Sequence, residues 1–327
     1  MFCNLYEFME EDPAFHREDY FENIFTAMEW EGKLHVLPTL AMPSYVYMNK
    51  TVTDALNIDI NRYDSITPME ILEIYGQALD EGIVGDDFWL NYRDGGRCVL
   101  WSLEMNNHVD TAAGKARFDS PEMLAYLQAS QRIQTESTVY NALTTGSEGL
   151  KALLAAENNA LMAVFSFRLE FYRDIIAEGE KVSKGLPLVN NKREALWTPL
   201  NILSIPQSSS NKALAWEFVK YCIAESETVE YIAQSSSRGG WLGDRFFSFL
   251  PINRNNLRKY VTSYFGEAAP EVIEAAEALI AKPRAKFNAL SDLDMRDIFT
   301  KYYDSQFITA EECAKLMQGR ADIYFGE

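Results

Sequence analysis

Histidine is almost missing from this chain: His16, His35 and His108 are the only three in 327 residues. They are widely separated, and no HExxH or mixed His/Cys cluster occurs, which argues against a metal centre built on imidazole ligands. Cysteine is as sparse. Cys3, Cys98, Cys222 and Cys313 show no CxxC spacing, so neither a zinc site nor a redox motif is indicated, and four thiols make no disulfide framework at this length. Cys222 and Cys313 fall on apolar helical patterns and read as core thiols. Positive charge is also short, with 30 Lys and Arg against 48 Asp and Glu and a net charge of −18. That balance disfavours sequence-independent binding to nucleic acid and attachment to anionic lipid. No apolar run approaches the ~20 residues of a membrane helix. GxSxG, GxxxxGK[ST] and GxGxxG are all absent, and Gly95-Gly96 reads as a turn. Met1 to Tyr6 run into Glu7, Glu10, Glu11 and Asp12, without the basic and apolar regions of a signal peptide.

The length suggests about two domains, and 47 % hydrophobic with 24 % charged residues describes a globular chain. Thr67-Pro-Met-Glu70 combines a capping hydroxyl, an N1 proline and a carboxylate three residues on. It predicts a helix with Ile71, Ile74, Tyr75, Ala78 and Leu79 inward and an end near Gly82. Ser120-Pro-Glu-Met123 opens another helix. Asn211 to Ala224 predicts a helix with Leu214, Phe218, Tyr221 and Cys222 on its inner face, and Pro270 to Ala281 predicts a further one. Thr309-Ala-Glu-Glu312 starts a last helix with the stripe Ala310, Cys313, Ala314, Met317, Ala321 and Tyr324. Short apolar runs at Lys33–Leu37, Tyr45–Met48, Ala160–Phe165 and Leu200–Ile205 read as strands. Strands separated by helices define an α/β chain with ligand crevices at strand ends.

The paired carboxylates Asp86-Asp87 and Glu311-Glu312 point apart or cap a helix, and Asp59, Asn61 and Asp64 lack the glycine and final glutamate of a calcium loop. Aromatic residues are abundant, with 19 Phe, 17 Tyr and 6 Trp. Trp89, Trp101, Phe165, Phe167, Trp197 and Trp241 stand in polar or glycine-rich surroundings. Rings beside hydrogen-bonding groups suit a pyranose, whose C–H faces stack while its hydroxyls bond to Asn, Asp, Arg and Ser.

Glu31-Gly-Lys-Leu-His-Val-Leu-Pro38 followed by Tyr45-Val-Tyr-Met-Asn-Lys50 resembles a passage of the extracellular solute-binding proteins of sugar ABC transporters, the class that includes maltose-binding protein. Further likenesses occur in the family's order: Thr67-Pro-Met-Glu70, Val109-Asp110 through Gly114-Lys115 to Phe118-Asp-Ser-Pro121, Glu157 to Met162, Ser210 to Lys220, Leu250 to Arg254, and Thr309 to Arg320. The resemblance covers roughly residue 20 to the end. Glu157-Asn-Asn-Ala lacks the family's glycine, and Met48 replaces the usual tyrosine.

What the resemblance implies is a periplasmic-binding-protein-like α/β fold of class II, with two lobes joined by hinge crossovers. Residues 1–45 plus about 200–240 would form the first lobe, and 46–199 plus about 241–327 the second. Family members carry more chain before the Glu31 passage, so the first lobe is expected to be incomplete, with an apolar face or edge that lacks partners. The implied function is non-enzymatic binding of a carbohydrate in an interlobe cleft, without a cofactor or metal. Partners would be the carbohydrate and the permease subunits of an importer, with no nucleic acid and no oligomer. The setting would be extracellular or periplasmic, with a lipoprotein anchor in the full-length form. The expected ligand contacts are Ser44, Trp101, Asn106, His108, Phe165, Phe167, Arg168, Trp197 and Trp241. Phe167, Arg168, Trp101 and Trp241 are the primary ones, with aromatics for stacking and Arg168 for bidentate bonds. Two alternatives stand beside this reading: a glycosidase-like enzyme using carboxylates among Glu104, Asp110 and Glu170, and a truncated remnant that binds nothing.

Overall fold

The computed structural model describes residues 2–83, 89–91, 104–110, 113–133, 160–166, 181–224, 250–266, 269–286 and 294–326. In chain order its main elements are α1 (Leu5–Glu11), α2 (Glu22–Met28), β1 (Leu37–Met48), α3 (Lys50–Ala55), α4 (Pro68–Glu81), β2 (Trp89–Asn91), β3 (Val109–Asp110), β4 (Lys115–Ala116), α5 (Pro121–Ser130) and β5 (Ala160–Ser166). They continue with β6 (Leu186–Pro187), β7 (Ala195–Leu203), α6 (Lys212–Ala224), β8 (Leu250–Pro251), α7 (Arg254–Phe265), α8 (Ala269–Ile280), β9 (Pro283–Lys286), α9 (Arg296–Phe299) and α10 (Ala310–Gly326). The chain divides into two compact units. The first is Met1–Tyr45, Phe165–Glu178 and Glu194–Lys286, and the second is Val46–Val164, Gly179–Arg193 and Phe287–Glu327.

The first unit is built on the front half of β1. It pairs antiparallel with β7 from Leu37↔Leu203 to Pro43↔Trp197, and with β8 at Leu40↔Pro251 and Ala41↔Leu250. Strand β9 extends the sheet parallel to β7. Leu5, Phe21, Phe25, Leu37, Trp197, Leu257 and Tyr260 are at the centre of its core. The expected division, which gave 241–327 to the second lobe, differs here. Because β8 pairs with β1 and β9 with β7, the stretch that carries α7 and α8 belongs to the first unit. The expected strand at Lys33–Leu37 does not form, since only Leu37 joins a strand; that strand, β1, runs twelve residues from Leu37 through the expected Tyr45–Met48 run. Pro38 and Pro43 lie inside it, where their missing N–H donors would suggest a break.

Helix α6 docks on a different side from the one its periodicity suggested. Trp216, Val219 and Ile223 are buried, whereas Leu214, Phe218 and Tyr221 are 63 %, 60 % and 48 % exposed. The amino-terminal segment explains the choice. Trp216 stacks on Phe8 at 5.9 Å and meets Phe15 at 5.5 Å, while its Nε1–H donates to Asp12 Oδ2 (2.9 Å). Lys220 Nζ lies 2.5 Å from the same carboxylate. The largest ring on the helix thus finds aromatic partners and a buried-side acceptor at once.

The lysine ammonium, seconded by the indole N–H, holds the Asp12 carboxyl down at about 2, below its ordinary 3.8. A carboxyl depressed in the folded state contributes stability above its unfolded value and loses it as pH falls through the folded value. The stabilising share of Asp12 is therefore complete above pH ~4 and vanishes towards pH ~2. Asp12→Asn should flatten the acid limb of a urea-midpoint profile over that window, and an unchanged limb would rule the contribution out.

The second unit takes the back half of β1, flanked by β5 and β6, with β2 parallel to β5 at Trp89↔Ala160 and Asn91↔Met162. Ser183 ties the chain to β1 through its hydroxyl, which accepts from Met48 N–H at 2.9 Å, and its own N–H, which donates to Met48 O at 2.9 Å. Helix α4 follows its sequence signals closely. Thr67 Oγ1 accepts from Glu70 N–H (3.2 Å), Glu70 Oε2 accepts from Thr67 N–H (2.8 Å), and Gly82 closes the helix at φ 61°. Arg193 clamps the Glu70 carboxylate from outside. Thr67→Ala should cost about 1 kcal/mol, read as a lower urea midpoint at constant slope. No change would mean that the cap is replaced by solvent. On α10 the anticipated stripe is buried from Ala310 to Ala321, but Tyr324 is 44 % exposed.

Candidate functional site

A polar groove of about 1060 Å³ lies wholly within the second unit, between the β3–β4 hairpin, the loop at Asn190–Lys192 and the end of α10. The hairpin pairs Val109 with Ala116 and Asp110 with Lys115. Asp110 Oδ1 accepts from Ala113 N–H at 2.9 Å, and Gly114 adopts φ +60°, a left-handed conformation that glycine takes without a side-chain penalty. Gln318 of α10 holds the hairpin from one side: its Oε1 accepts from Phe118 N–H (2.7 Å) and its Nε2 donates to Ala116 O (3.2 Å). That anchoring brings Asp322 and the Phe325 ring to the groove wall.

Behind the groove runs a continuous hydrogen-bonded chain. Asn191 N–H donates to Asn107 Oδ1 (2.9 Å), and Asn107 Nδ2 donates to Glu104 Oε2 (2.8 Å). Glu104 Oε1 bonds His108 Nε2 at 3.0 Å, and His108 Nδ1 is 3.2 Å from Ser120 Oγ. Ser120 Oγ in turn caps α5 by accepting from Met123 N–H (3.2 Å). A carboxylate can only accept, so His108 Nε2 donates to Glu104, and Nδ1 meets the Ser120 hydroxyl. Glu104 and His108 are 2 % and 5 % exposed. A buried polar chain is stabilising only when each member has a partner, and here each does. It fixes the loop at residues 190–192 against the turn at 104–108 and the start of α5.

Of the expected ligand contacts, the structure brings Asn106 and His108 together on this groove. Both nitrogens of His108 are engaged by Glu104 and Ser120, so it shapes the wall rather than offering a free donor. Ser44 and Trp197 lie in the first unit on paired strands, Ser44 directly after Pro43, whose partner is Trp197. Ser44 is half-buried, but Trp197 is 0 % exposed and packs as core. Phe165 lies on β5, and its side chain is outside what the structure describes. Trp101, Phe167, Arg168 and Trp241 lie outside the described residues. Of the three carboxylates weighed for hydrolysis, Glu104 has both oxygens bonded to His108 and Asn107, Asp110 serves its own turn, and Glu170 lies outside the described residues. Among the described residues no group of three or more His, Cys, Asp or Glu could hold a metal ion.

The sequence reading missed Lys115, Arg117, Asn191, Lys192 and Phe325 as groove residues. One signal was present: Asn106-Asn-His108 and Asn190-Asn-Lys192 repeat an Asn-Asn-basic pattern, and both runs line the groove.

No protein-family model matches the chain, and no curated protein matches it in sequence. Solved structures do match over nearly its whole length. The sugar-binding protein MalE from Xanthomonas citri aligns at a TM-score of 0.60 and 11 % identity, covering 99 % of this chain and 79 % of that one. An ABC substrate-binding protein from Listeria monocytogenes in complex with cycloalternan aligns at 0.54 and 13 % identity, over 99 % and 80 %. The GacH receptor of Streptomyces glaucescens GLA.O, solved with acarbose, aligns at 0.54 and 14 % identity, over 100 % and 79 %. The likeness establishes the fold: this is an α/β chain of the periplasmic-binding-protein-like, MalE-type architecture.

Proposed function

We propose that the chain is the solute-binding subunit of an ABC importer and takes a carbohydrate without chemical conversion. The observation that carries this reading is the unbroken fold likeness across 99 % of the chain to proteins described as binding sugars, from cycloalternan to acarbose. The fold is a framework, and function depends on the site grafted on it. The site chemistry agrees with that framework: asparagine amides, cationic donors and an aromatic ring line one groove, the mixture that bonds hydroxyls and covers a C–H face. The engagement of Glu104 and Asp110 by protein donors supports binding without hydrolysis. In this reading Phe167, Arg168, Trp101 and Trp241 are the primary ligand contacts, and Ser44, Asn106, His108, Phe165 and Trp197 are the further ones. Its partners are the carbohydrate and the membrane permease, and it works as an exported monomer, periplasmic or anchored as a lipoprotein.

A thermal-shift screen over mono- and oligosaccharides tests the reading. A ligand at a hundredfold excess over its Kd stabilises a fold by about 2.7 kcal/mol, so at least one sugar should raise Tm by several degrees. Hydrolysis of aryl glycosides should stay at the buffer rate. Sugar cleavage by the purified chain would replace this reading with the glycosidase-like one.

A further inference from the structure

The groove of the second unit carries more cationic donors than the protein itself uses. Arg17, Arg62, Arg132, Arg193, Arg254, Arg258 and Arg320 each pair with a carboxylate. Arg117 is the exception among the arginines whose side chains are described. In a chain with 48 acids and 30 bases, an arginine without an acid partner runs against the supply of partners. Lys115 and Lys192 line the same groove and also have no carboxylate partner among the described residues. The acids on the groove wall are differently disposed. Asp110 accepts from Ala113 N–H, Asp322 accepts from Gln318 Nε2 at 2.7 Å, and Glu122 is exposed in the first turn of α5. Two of the three acids thus accept from the protein's own donors, Glu122 faces solvent, and three cationic side chains are without a carboxylate partner among the described residues.

We propose that this groove is a saccharide site of its own, complete within the second unit, and that it takes an acidic sugar. Arg117 receives the sugar carboxylate through its planar fork, which matches the two oxygens of that group. Lys115 and Lys192 supply point charge from the hairpin and from the loop at 190–192. Phe325, half-buried beside the Gly114 turn, offers a ring for a C–H face. The Asn191–Asn107–Glu104–His108–Ser120 chain holds the backbone at Lys192 and the hairpin in register, which sets where the three exposed cationic side chains leave the groove wall. Neutral sugars gain the ring and amide contacts but leave Arg117 unsatisfied. Discrimination follows from that difference, because a site built for a charged partner rejects the analogue that lacks it.

Calorimetric titration of the full chain at low salt with trigalacturonate and with the uncharged galactose trimer of the same linkage tests the proposal. The acidic trimer should bind at least tenfold tighter than the neutral one. Arg117→Ala should bring the two to equal affinity, Arg117→Lys should keep part of the preference, and Lys192→Ala should weaken the acidic trimer alone, each at unchanged Tm. Failure of every neutral sugar to bind with the acidic preference kept would count against the importer reading alone, so the two proposals fail separately. Equal binding of both trimers, no binding of the acidic one, or an Arg117→Ala protein that keeps the preference would overturn the inference.

Discussion

Trp197→Ala should lower the unfolding free energy by about 3–5 kcal/mol, the usual range for removing a fully buried tryptophan. Trp197 is 0 % exposed in the first unit's core, and its strand is held on both sides, by β1 at Pro43 and by β9 at Lys286. Deleting the indole leaves a cavity between sheet and helices that a paired central strand cannot collapse to fill. The indole Nε1 has no hydrogen-bond partner among the described residues, so the substitution removes a desolvated polar atom as well. That recovers part of the loss and should make Trp197→Phe much milder than Trp197→Ala, within about 2 kcal/mol of the parent. Urea denaturation of both variants checks this. Equal, small losses would mean that the residue faces solvent or a ligand space rather than core.

Glu104→Ala should be damaging in the second unit. The carboxylate accepts from His108 and from Asn107 while 2 % exposed, so its removal leaves the buried His108 N–H and the half-buried Asn107 amide without that partner. Each buried donor left unsatisfied costs about 1–3 kcal/mol. The damage should spread along the chain of bonds to the Ser120 cap and the Asn191 loop. Trigalacturonate affinity should therefore fall with stability in Glu104→Ala, whereas Arg117→Ala loses affinity alone. Chemical denaturation and titration on the same samples separate the two, and a Glu104→Ala protein with the parent's midpoint would remove the network from the account.

Much of the local structure was legible because its signals are short-range. The capping boxes at Thr67 and Thr309 need only four consecutive residues, and both formed with the anticipated bonds. The inner face of α6 was not legible for a physical reason. Ala213, Leu214, Ala215, Trp216, Phe218, Val219, Tyr221, Cys222 and Ile223 surround the helix with apolar surface, so periodicity names no single face. The partner that decides, the Phe8–Phe15 aromatic cluster with Asp12, lies about two hundred residues away in sequence. The length of β1 was hidden in the same way, since Pro38 and Pro43 look like breaks until the strands beside them are known. The groove is assembled from three segments, at 106–122, 190–192 and 322–326. Asn106 was recognisable from its polar run, but the spare valence of Arg117 is a property of what surrounds it and is written in no motif.

Carbohydrate binding, proposed here for this MalE-type chain, is measured directly by isothermal titration of the purified full chain against neutral and acidic oligosaccharides. The expected result is saturable binding of at least one saccharide, with the sugar recovered unchanged afterwards. Absence of heat for every saccharide in a correctly folded sample, or recovery of cleaved products, would contradict it.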